Sequence, residues 1–453
     1  MKKALSLVLA LVLLLSVTSV FAEEEKTTLT LWCIATESDS NRIAYEKAIP
    51  EIEEAFNVKI EWEAFENDSY KTKIKSTSAE ELPDIFFTWA GAFCGDFAAA
   101  GKVYCLDEAY AEYADALPDV MTKNATYDGK RYAVPLTMNI VAMFANMDLL
   151  AEVGYDKVPE TYEDLIACCD ALKAKGIIPF GCSGNATWCV TEYLEPIIEK
   201  TIGYEELIDC CDKLVAAGII PFGCSGNATW CVTEYLEPII LKTIGYEALG
   251  DIFAGKGTWN DPAIAGAVDT FQEMITKGYF DPDGLTMDND QVKAKFIAGE
   301  LAFYQNGTWN CGDIAAAGDN FKVALFPVMD AEKATYGQVI GGPADSLAVS
   351  ANGKDPALAA KVAFALGKKI CEYSFIMAGS GLPAWTPDYD TSAVNYLTND
   401  VAAMVAAADG MVLFGDTAMS ADPANVYLSY VAKVYGCEID GAGFIEALSN
   451  ELQ

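Results

Sequence analysis

The side chains that could do chemistry in this chain are mainly aromatic and acidic, because histidine is absent from all 453 residues. Without histidine, neither a Ser-His-Asp nor a Cys-His catalytic site can form, and no histidine can bind a metal. The 14 cysteines include no C-x-x-C pair of the kind that binds zinc. We therefore predict no catalytic residues, no metal site and no cofactor, and we expect mostly free, buried thiols.

Five of the eight tryptophans lie in segments that contain Gly or Pro and are typical of loops and turns. A flat indole ring in such a place can stack on the apolar face of a ligand while polar neighbours bond its hydroxyls. Packing in the core is the alternative, because tryptophan is usually largely buried. The five candidates are Trp89, Trp188, Trp230, Trp309 and Trp385. A sixth, Trp259 in KGTWNDP, is predicted to lie in a surface turn.

The N-terminal residues have the pattern of a secretory signal peptide. Two lysines precede an unbroken apolar run at 7–15, and the small residue Ala22 stands before three glutamates. The run is short for a bilayer span, and no cysteine follows it as in a bacterial lipoprotein. We predict a signal peptide at 1–22 and a mature protein that is periplasmic or extracellular.

The chain is strongly acidic, with a formal net charge of −36. Such a surface repels nucleic acid and anionic lipid, so we expect neither as a partner. The length and the 52% of hydrophobic residues predict a globular protein of about two domains.

Strand and helix patterns alternate along the chain. TLTLWCIA and VKIEWEAF alternate apolar and polar residues as strands do, and apolar residues at helical spacing fill 42–56 between them. PDIFFTWA, RYAVPL and VAMFAN predict further strands, and a mainly helical stretch follows to about Gly278. This alternation predicts an α/β layered fold with parallel strands.

One passage occurs twice: residues 162–203 return as 204–245, with 36 of 42 positions identical. Two units are too few for a solenoid, and their near identity indicates a recent duplication. Each unit predicts a helix, a short strand and a second helix. We expect one copy, the second, to be docked in the fold and the other to be surplus.

Six segments, in this order, resemble the extracellular solute-binding proteins of bacterial ABC transporters, in the sugar-binding group that includes maltose-binding protein. The segments are PDIFFTWAGAFCGDFAAAGKVYCLDE (83–108), YAVPLTMNIVAMFANMDLLAEVG (132–154), VPETYEDLIACCDALKAKGIIPF (158–180), FIAGELAFYQNGTW (296–309), GGPADSLAVS (341–350) and DPALAAKVAFAL (355–366).

The resemblance implies a periplasmic-binding-protein fold, in which two α/β lobes joined by a hinge trap the ligand in the cleft between them. Carried over, lobe one is 27–134 with 347–398. Lobe two is 135–346 with 399–453 and contains the duplication. Closure about the hinge is the expected motion.

The resemblance also adds site residues. Trp309 stands where the family places a stacking tryptophan. Glu37 and Ser38 follow the first strand, where open α/β sheets bind ligands. Asn139 follows the first crossing between lobes, and Gly341, Gly342 and Asp345 lie at the second. The alternative for each polar residue is a solvated or turn-capping side chain.

The function implied is that of the substrate-binding component of an ABC importer, a monomer that captures a sugar, by preference an oligosaccharide, and delivers it to the permease subunits. A secreted carbohydrate-active enzyme is an alternative, because the 66 acidic residues could supply a carboxylate pair. A binding protein for another solute, such as a polyamine or a peptide, is a further alternative.

Overall fold

The computed structural model describes residues 26–158, most of 167–181, 241, 243–276, 289–298, 301–325 and 333–452. The predicted signal peptide and residues 182–240, with Trp188, Trp230 and most of the duplication, lie outside the described residues. No helix within the described part of the chain has the length and apolar character needed to cross a membrane.

Fourteen strands are described, numbered in chain order. They are β1 (Thr27–Cys33), β2 (Val58–Ala64), β3 (Ile85–Trp89), β4 (Thr126–Tyr127), β5 (Lys130–Arg131), β6 (Ala133–Pro135), β7 (Thr137–Asn146), β8 (Ile178–Gly181), β9 (Leu301–Gly307), β10 (Phe321–Ala324), β11 (Gln338–Pro343), β12 (Asp345–Val349), β13 (Leu382–Pro383) and β14 (Gly410–Val412).

The described α-helices are numbered in the same way, and a π-helical turn at Ser374–Ala378 follows α11. They are α1 (Arg42–Phe56), α2 (Asn67–Ser76), α3 (Ala92–Ala99), α4 (Asp107–Tyr110), α5 (Asp119–Thr122), α6 (Met147–Glu152), α7 (Tyr246–Phe253), α8 (Pro262–Thr276), α9 (Asn289–Ile297), α10 (Cys311–Ala317), α11 (Pro356–Tyr373), α12 (Tyr396–Ala407), α13 (Gly415–Ala418), α14 (Ala421–Tyr435) and α15 (Gly441–Glu451).

The first sheet has the strand order β2-β1-β3-β12-β6. Strands β1, β2 and β3 are parallel, as the alternation of strands and helices predicts. Strand β12 comes from much later in the chain and lies antiparallel to both β3 and β6. All five residues of β3 are buried, which fits a central strand covered on both faces.

The second sheet is built around β7, the ten-residue strand that follows β6 after Leu136. Its strand order is β14-β11-β7-β9-β8, and β10 and β13 also pair with β7. Strands β9, β10, β11 and β13 all run antiparallel to β7. The expectation of parallel strands is therefore wrong for most of this sheet, because β7 pairs with strands from distant parts of the chain, whose direction no local pattern sets.

Buried side chains form one cluster around the first sheet and two around the second. The first cluster runs from Leu29 to Leu136 and again from Ala344 to Trp385. The second cluster packs α7, α8, α14 and α15 against one face of the second sheet, and the third packs α9, α10 and α12 against it. Trp259 lies inside the second cluster, stacked on Tyr427 with ring centroids 5.1 Å apart. Its predicted place in a surface turn is wrong.

The chain passes from the first sheet to the second at Leu136, returns at Ala344, and passes to the second sheet again between α11 and α12, where β13 pairs with β7. The assignment of whole lobes to 27–134 with 347–398 and to 135–346 with 399–453 stays a prediction.

Part of the first copy of the duplicated passage is docked in the second sheet. Strand β8 belongs to this copy and pairs with β9, and Cys168, Cys169 and Leu172 are buried in the second cluster. The expectation that the second copy is the docked one is therefore wrong for these residues.

Eight cysteines lie in the described part of the chain, all as free thiols, and six of them are buried. Burial raises the pKa of the Cys33 and Cys94 thiols to about 12. Thiols in such surroundings stay protonated and unreactive at neutral pH, so these cysteines serve as small core residues.

Candidate ligand-binding site

A pocket opens where the first sheet meets the chain passages at Leu136 and Ala344, and it encloses about 350 Å³ including the space open to solvent. The loop after β1, the first turn of α1 and the end of α11 form its walls. The lining residues are Ile34, Ala35, Asp39, Asn41, Tyr45, Phe87, Leu136, Thr137, Asp345, Ile370 and Ser374.

Hydrogen bonds within the loop after β1 fix the conformation of this loop. The Asn41 N–H donates to Asp39 Oδ1 at 2.8 Å, and the Arg42 N–H donates to the Asp39 carbonyl at 3.0 Å. This Asx turn starts α1. Asn41 occupies the N-cap position of α1 but makes no side-chain cap, because its Nδ2 donates instead to Ser380 Oγ at 2.9 Å.

Two buried acceptors in the pocket lack partners. Asn41 Oδ1 and Ser374 Oγ make no hydrogen bond to any residue that the structure describes. Ser374 is fully buried. An unsatisfied buried polar atom costs about 1–3 kcal/mol, and buried polar groups in native proteins nearly always have partners. A ligand that donates hydrogen bonds would satisfy both.

Hydrogen bonds from residues of β7 fix the position of the Asp345 carboxylate. Thr137 Oγ1 and Asn139 Nδ2 each donate to Asp345 Oδ2 at 3.0 Å. Asn139 Oδ1 in turn accepts from Thr308 Oγ1 at 3.1 Å, and Thr308 Oγ1 accepts from the Ile140 N–H at 3.0 Å. The network therefore ties the carboxylate of the pocket to the second sheet.

Both carboxyl groups of the pocket are harder to ionise than usual. Burial raises the pKa of Asp345 to about 6, against the opposing effect of the Thr137 and Asn139 hydrogen bonds. Burial likewise raises the pKa of Asp39 to about 6, against the Asn41 N–H and the positive charge of Lys293 on α9. At neutral pH both groups are largely ionised and accept hydrogen bonds.

Of the predicted site residues that the structure describes, only Asp345 lies in the pocket lining. Glu37 and Ser38 lie beside the pocket, on the exposed tip of the loop after β1. Asn139 is buried and supports Asp345 without lining the pocket. Gly342 pairs with Asn139 in the second sheet with φ 142°, and its place is a backbone one.

The predicted tryptophans that the structure describes have different surroundings. Trp385 is 2% exposed, and its Nε1 donates to the Pro135 carbonyl at 2.7 Å. Its assignment as a ligand-stacking residue is wrong, because its ring is enclosed in the core of the first sheet. Trp309 is half-buried in the turn after β9, packed against the second cluster. A Cβ at Gly307 would lie 2.1 Å from its ring, so this turn needs glycine.

Trp89 ends β3 and is 9% exposed. Tyr70, Phe87 and Phe93 surround its ring, with centroids 5.0–6.1 Å away, and the Lys71 ammonium lies 4.8 Å from its centroid. The packing alternative therefore describes Trp89 in this structure, because aromatic neighbours and the Lys71 ammonium enclose most of its ring.

Asp39, Asn41, Thr137 and Ser374 line the pocket and were missed by the sequence reasoning. Asp39 and Asn41 stand only one to three residues beyond the predicted Glu37 and Ser38, in the segment TESDSN. The Asp-x-Asn pattern of an Asx turn was a usable signal. Nothing in the sequence marks Ser374. Within the described residues, no group of three or more histidine, cysteine or acidic side chains is placed to hold a metal ion.

Residues 47–368 match the family model for bacterial extracellular solute-binding proteins. Two curated relatives extend the comparison. A "Multiple sugar-binding protein" of Streptococcus mutans is 26% identical over 162 residues, covering 31% of this chain and 38% of the relative. A "Probable sugar-binding periplasmic protein" of Mesorhizobium japonicum is 24% identical over 353 residues, covering 75% of this chain and 72% of the relative.

A solved structure from work on xylan utilization by the thermophilic bacterium Caldanaerobius polysaccharolyticus has a similar fold. It superposes with a TM-score of 0.78 at 27% sequence identity, over 94% of this chain and 100% of that chain. The sequence alignments with the two curated relatives span less than two thirds of the Streptococcus mutans protein and more than two thirds of the Mesorhizobium japonicum protein. The family model covers well over half of the chain, and the two-sheet α/β fold agrees with it. This chain therefore belongs to the bacterial extracellular solute-binding protein family.

Proposed function

We propose that this protein captures a neutral sugar outside the cytoplasm and delivers it to the permease subunits of an ABC importer. The observation that carries the proposal is the pocket at the junction of the two sheets, where Asp39 and Asp345 present carboxylates and Asn41 Oδ1 and Ser374 Oγ lack donors. Sugar hydroxyls supply such donors in number. The sugar-binding names of the two curated relatives support the same ligand class.

The pocket also suits the apolar side of a sugar. Tyr45, Phe87, Leu136 and Ile370 line it between the polar groups. A cavity that alternates apolar walls with a few fixed acceptors is typical of small-molecule sites. Trp309, which is only half-buried, is our proposed stacking residue from the second sheet.

We propose binding without turnover. A glycosidase pushes the pKa values of its two carboxyl groups apart, so that one donates a proton while the other stays ionised. Here burial raises the pKa of both Asp39 and Asp345 to about 6. Burial shifts both pKa values in the same direction, and the curated relatives are named as binding proteins, which supports recognition over acid–base catalysis. The cleaved signal peptide, the monomeric state and a single docked copy of the 42-residue unit also belong to this proposal.

A thermal-shift screen tests it. Protein lacking residues 1–22 is heated with neutral mono- and oligosaccharides, a polyamine and short peptides. A sugar at 100 times its dissociation constant should add about 2.7 kcal/mol of stability. Asp39→Asn should reduce the shift, whereas Asp388→Asn, an exposed residue outside the pocket lining, should leave it unchanged. Stabilisation by the polyamine or a peptide and by no sugar would overturn the proposal, and so would release of cleaved products from a stabilising sugar.

A further inference from the structure

The first sheet with the helices of its cluster forms one half of the molecule, and the second sheet with the helices of its two clusters forms the other. One ion pair joins these halves away from the chain passages between the sheets. Lys71 Nζ on α2 lies 2.8 Å from Asp416 Oδ2 on α13. Helix α2 packs in the first cluster through Tyr70 and Ile74. Helix α13 follows Phe414 and precedes Met419, which both lie in the second cluster. The pair therefore bridges the cores of the two sheets.

The surroundings of this pair differ from those of a surface salt bridge. The side chains of Lys71 and Asp416 are only 16% and 10% exposed. The same ammonium lies over the Trp89 ring, and Thr417 Oγ1 donates to Asp416 Oδ1 at 3.0 Å. Exposed pairs contribute little because water screens them. A pair shielded from water, with an aromatic face against the cation, interacts more strongly.

A second contact between the halves lies next to the pair. Asp96 Oδ2 on α3 accepts from the Ala421 N–H at 2.9 Å. Ala421 is the first residue of α14, whose N-cap Ser420 makes no side-chain cap. A carboxylate from the first-sheet side thus caps a helix of the second-sheet side, where a negative charge is favourable.

The backbones also approach closely at this place. A Cβ on Gly91 would lie 2.6 Å from the Thr417 carbonyl oxygen. Gly91 has φ 77°, which other residues rarely adopt. The two halves therefore touch directly here, with no room between them for a ligand.

We propose that Lys71 and Asp416 form a latch that holds the two halves together and sets how much of the ligand-free protein is closed. Separating the halves would break the ion pair and the hydrogen bond to the Ala421 N–H, so both contacts exist in the closed form alone. The apparent affinity for a ligand falls in proportion to the closed fraction. The latch lies next to the ligand site. The Lys71 ammonium contacts the ring of Trp89, and Trp89 on β3 is the strand-pairing partner of Asp345 on β12. The inference goes beyond the proposed function and does not depend on the ligand being a sugar.

The test uses Lys71→Met, which keeps an apolar stem over Trp89, Asp416→Asn, and the double variant. Lys59→Met is the matched control, because Lys59 pairs with Glu61 on the exposed face of β2, within one half. Two measurements need no ligand: the radius of gyration by solution scattering, and hydrogen exchange of a peptide that contains the Ala421 amide.

Each single variant should increase the radius of gyration and accelerate exchange at Ala421 about tenfold, the factor that corresponds to 1.4 kcal/mol. The double variant should resemble the single ones, because the two changes remove one interaction, and the control should match the wild type. If a single variant fails to fold, the double variant decides, since it leaves no unpaired charge. Folded variants that keep the wild-type radius of gyration and the wild-type exchange rate at Ala421 would refute the latch. Acceleration spread equally over β1 and β3 would also refute it, by showing a loss of global stability.

Discussion

The carboxyl group of Asp345 should make the ligand-free protein less stable at neutral pH than it could be. Burial raises the pKa of Asp345 from its ordinary 3.8 to about 6. At about 1.36 kcal/mol per pKa step, ionising this group in the folded protein costs up to about 3 kcal/mol relative to the unfolded chain. Asp345→Asn removes the charge and keeps an oxygen that can accept from Thr137 and Asn139. We therefore expect the variant to be more stable than the wild type at pH 7.

The sign of the pH dependence follows from the direction of the pKa change. The folded pKa of Asp345 lies above the unfolded value, so the cost is fully present above about pH 6 and disappears as the pH falls towards 3.8. The wild type should gain stability relative to Asp345→Asn across this window. The difference in free energy of unfolding should therefore shrink from about 3 kcal/mol towards zero.

Urea unfolding of both proteins at pH 7 and pH 4.5 measures this difference. Asp388→Asn is the matched control, because its hydrogen bond to Lys368 lowers the pKa of Asp388. Removing the charge of Asp388 should therefore not stabilise the protein. A wild type more stable than Asp345→Asn at pH 7 would refute the reasoning, since the hydrogen bonds from Thr137 and Asn139 would then outweigh the burial of the charge. Weaker ligand binding by the more stable variant would show that the charge is kept for recognition.

The remaining predictions separate site residues from core residues. Ser374→Ala removes a buried hydroxyl without a described partner, so calorimetry should find weaker ligand binding while urea unfolding finds unchanged or higher stability. Trp309→Ala should cost about 1.5 kcal/mol or more in affinity with the fold intact; unchanged binding would return Trp309 to a packing role. Trp385→Ala should instead destabilise by about 3–5 kcal/mol, measured by unfolding. Deleting 162–203 removes β8 and the buried Cys168, Cys169 and Leu172, but the nearly identical second copy can replace them, so the protein should still fold and bind one ligand. Two ligands in the intact chain and one in the deletion variant would show the duplication to be functional.

Strands β1 to β3 of the first sheet and helix α1 were predictable because local patterns set them. Helix α1 begins and ends at the predicted residues, since apolar spacing sets its buried face and Asn57, with φ 51°, stops it. Strands β1 to β3 follow the alternation of strands and helices. The antiparallel partners of β7 could not be derived in the same way. They come from segments as far apart as β9 and β13, and no local pattern specifies which strands will pair.

The tryptophans show where sequence reasoning about the site fails. Trp89 and Trp385 both lie near glycines, which is typical of loops. Burial of a ring depends on neighbours that are distant in the chain: Tyr70 and Lys71 for Trp89, and Pro135, 250 positions away, for Trp385. Turn residues indicate where the backbone bends. They carry no information about which way a side chain at the bend will face.

Asp345 and Asn139 were predicted as site residues, but Thr137 and the hydrogen bonds that join the three were not, for a reason that concerns how the site works. Asp345 begins β12, where the chain returns to the first sheet, while Thr137 and Asn139 begin β7, where the chain leaves it. Their hydrogen bonds close over 208 and 206 positions of sequence. A ligand bound to the Asp345 carboxylate is therefore linked at once to the chain passages at Leu136 and at Ala344. Hinges are short segments of this kind, where small changes of backbone angle reorient whole lobes. Binding at this carboxylate is thus placed to act on the angle between the sheets, whereas the Lys71–Asp416 pair acts on the same angle from outside the pocket.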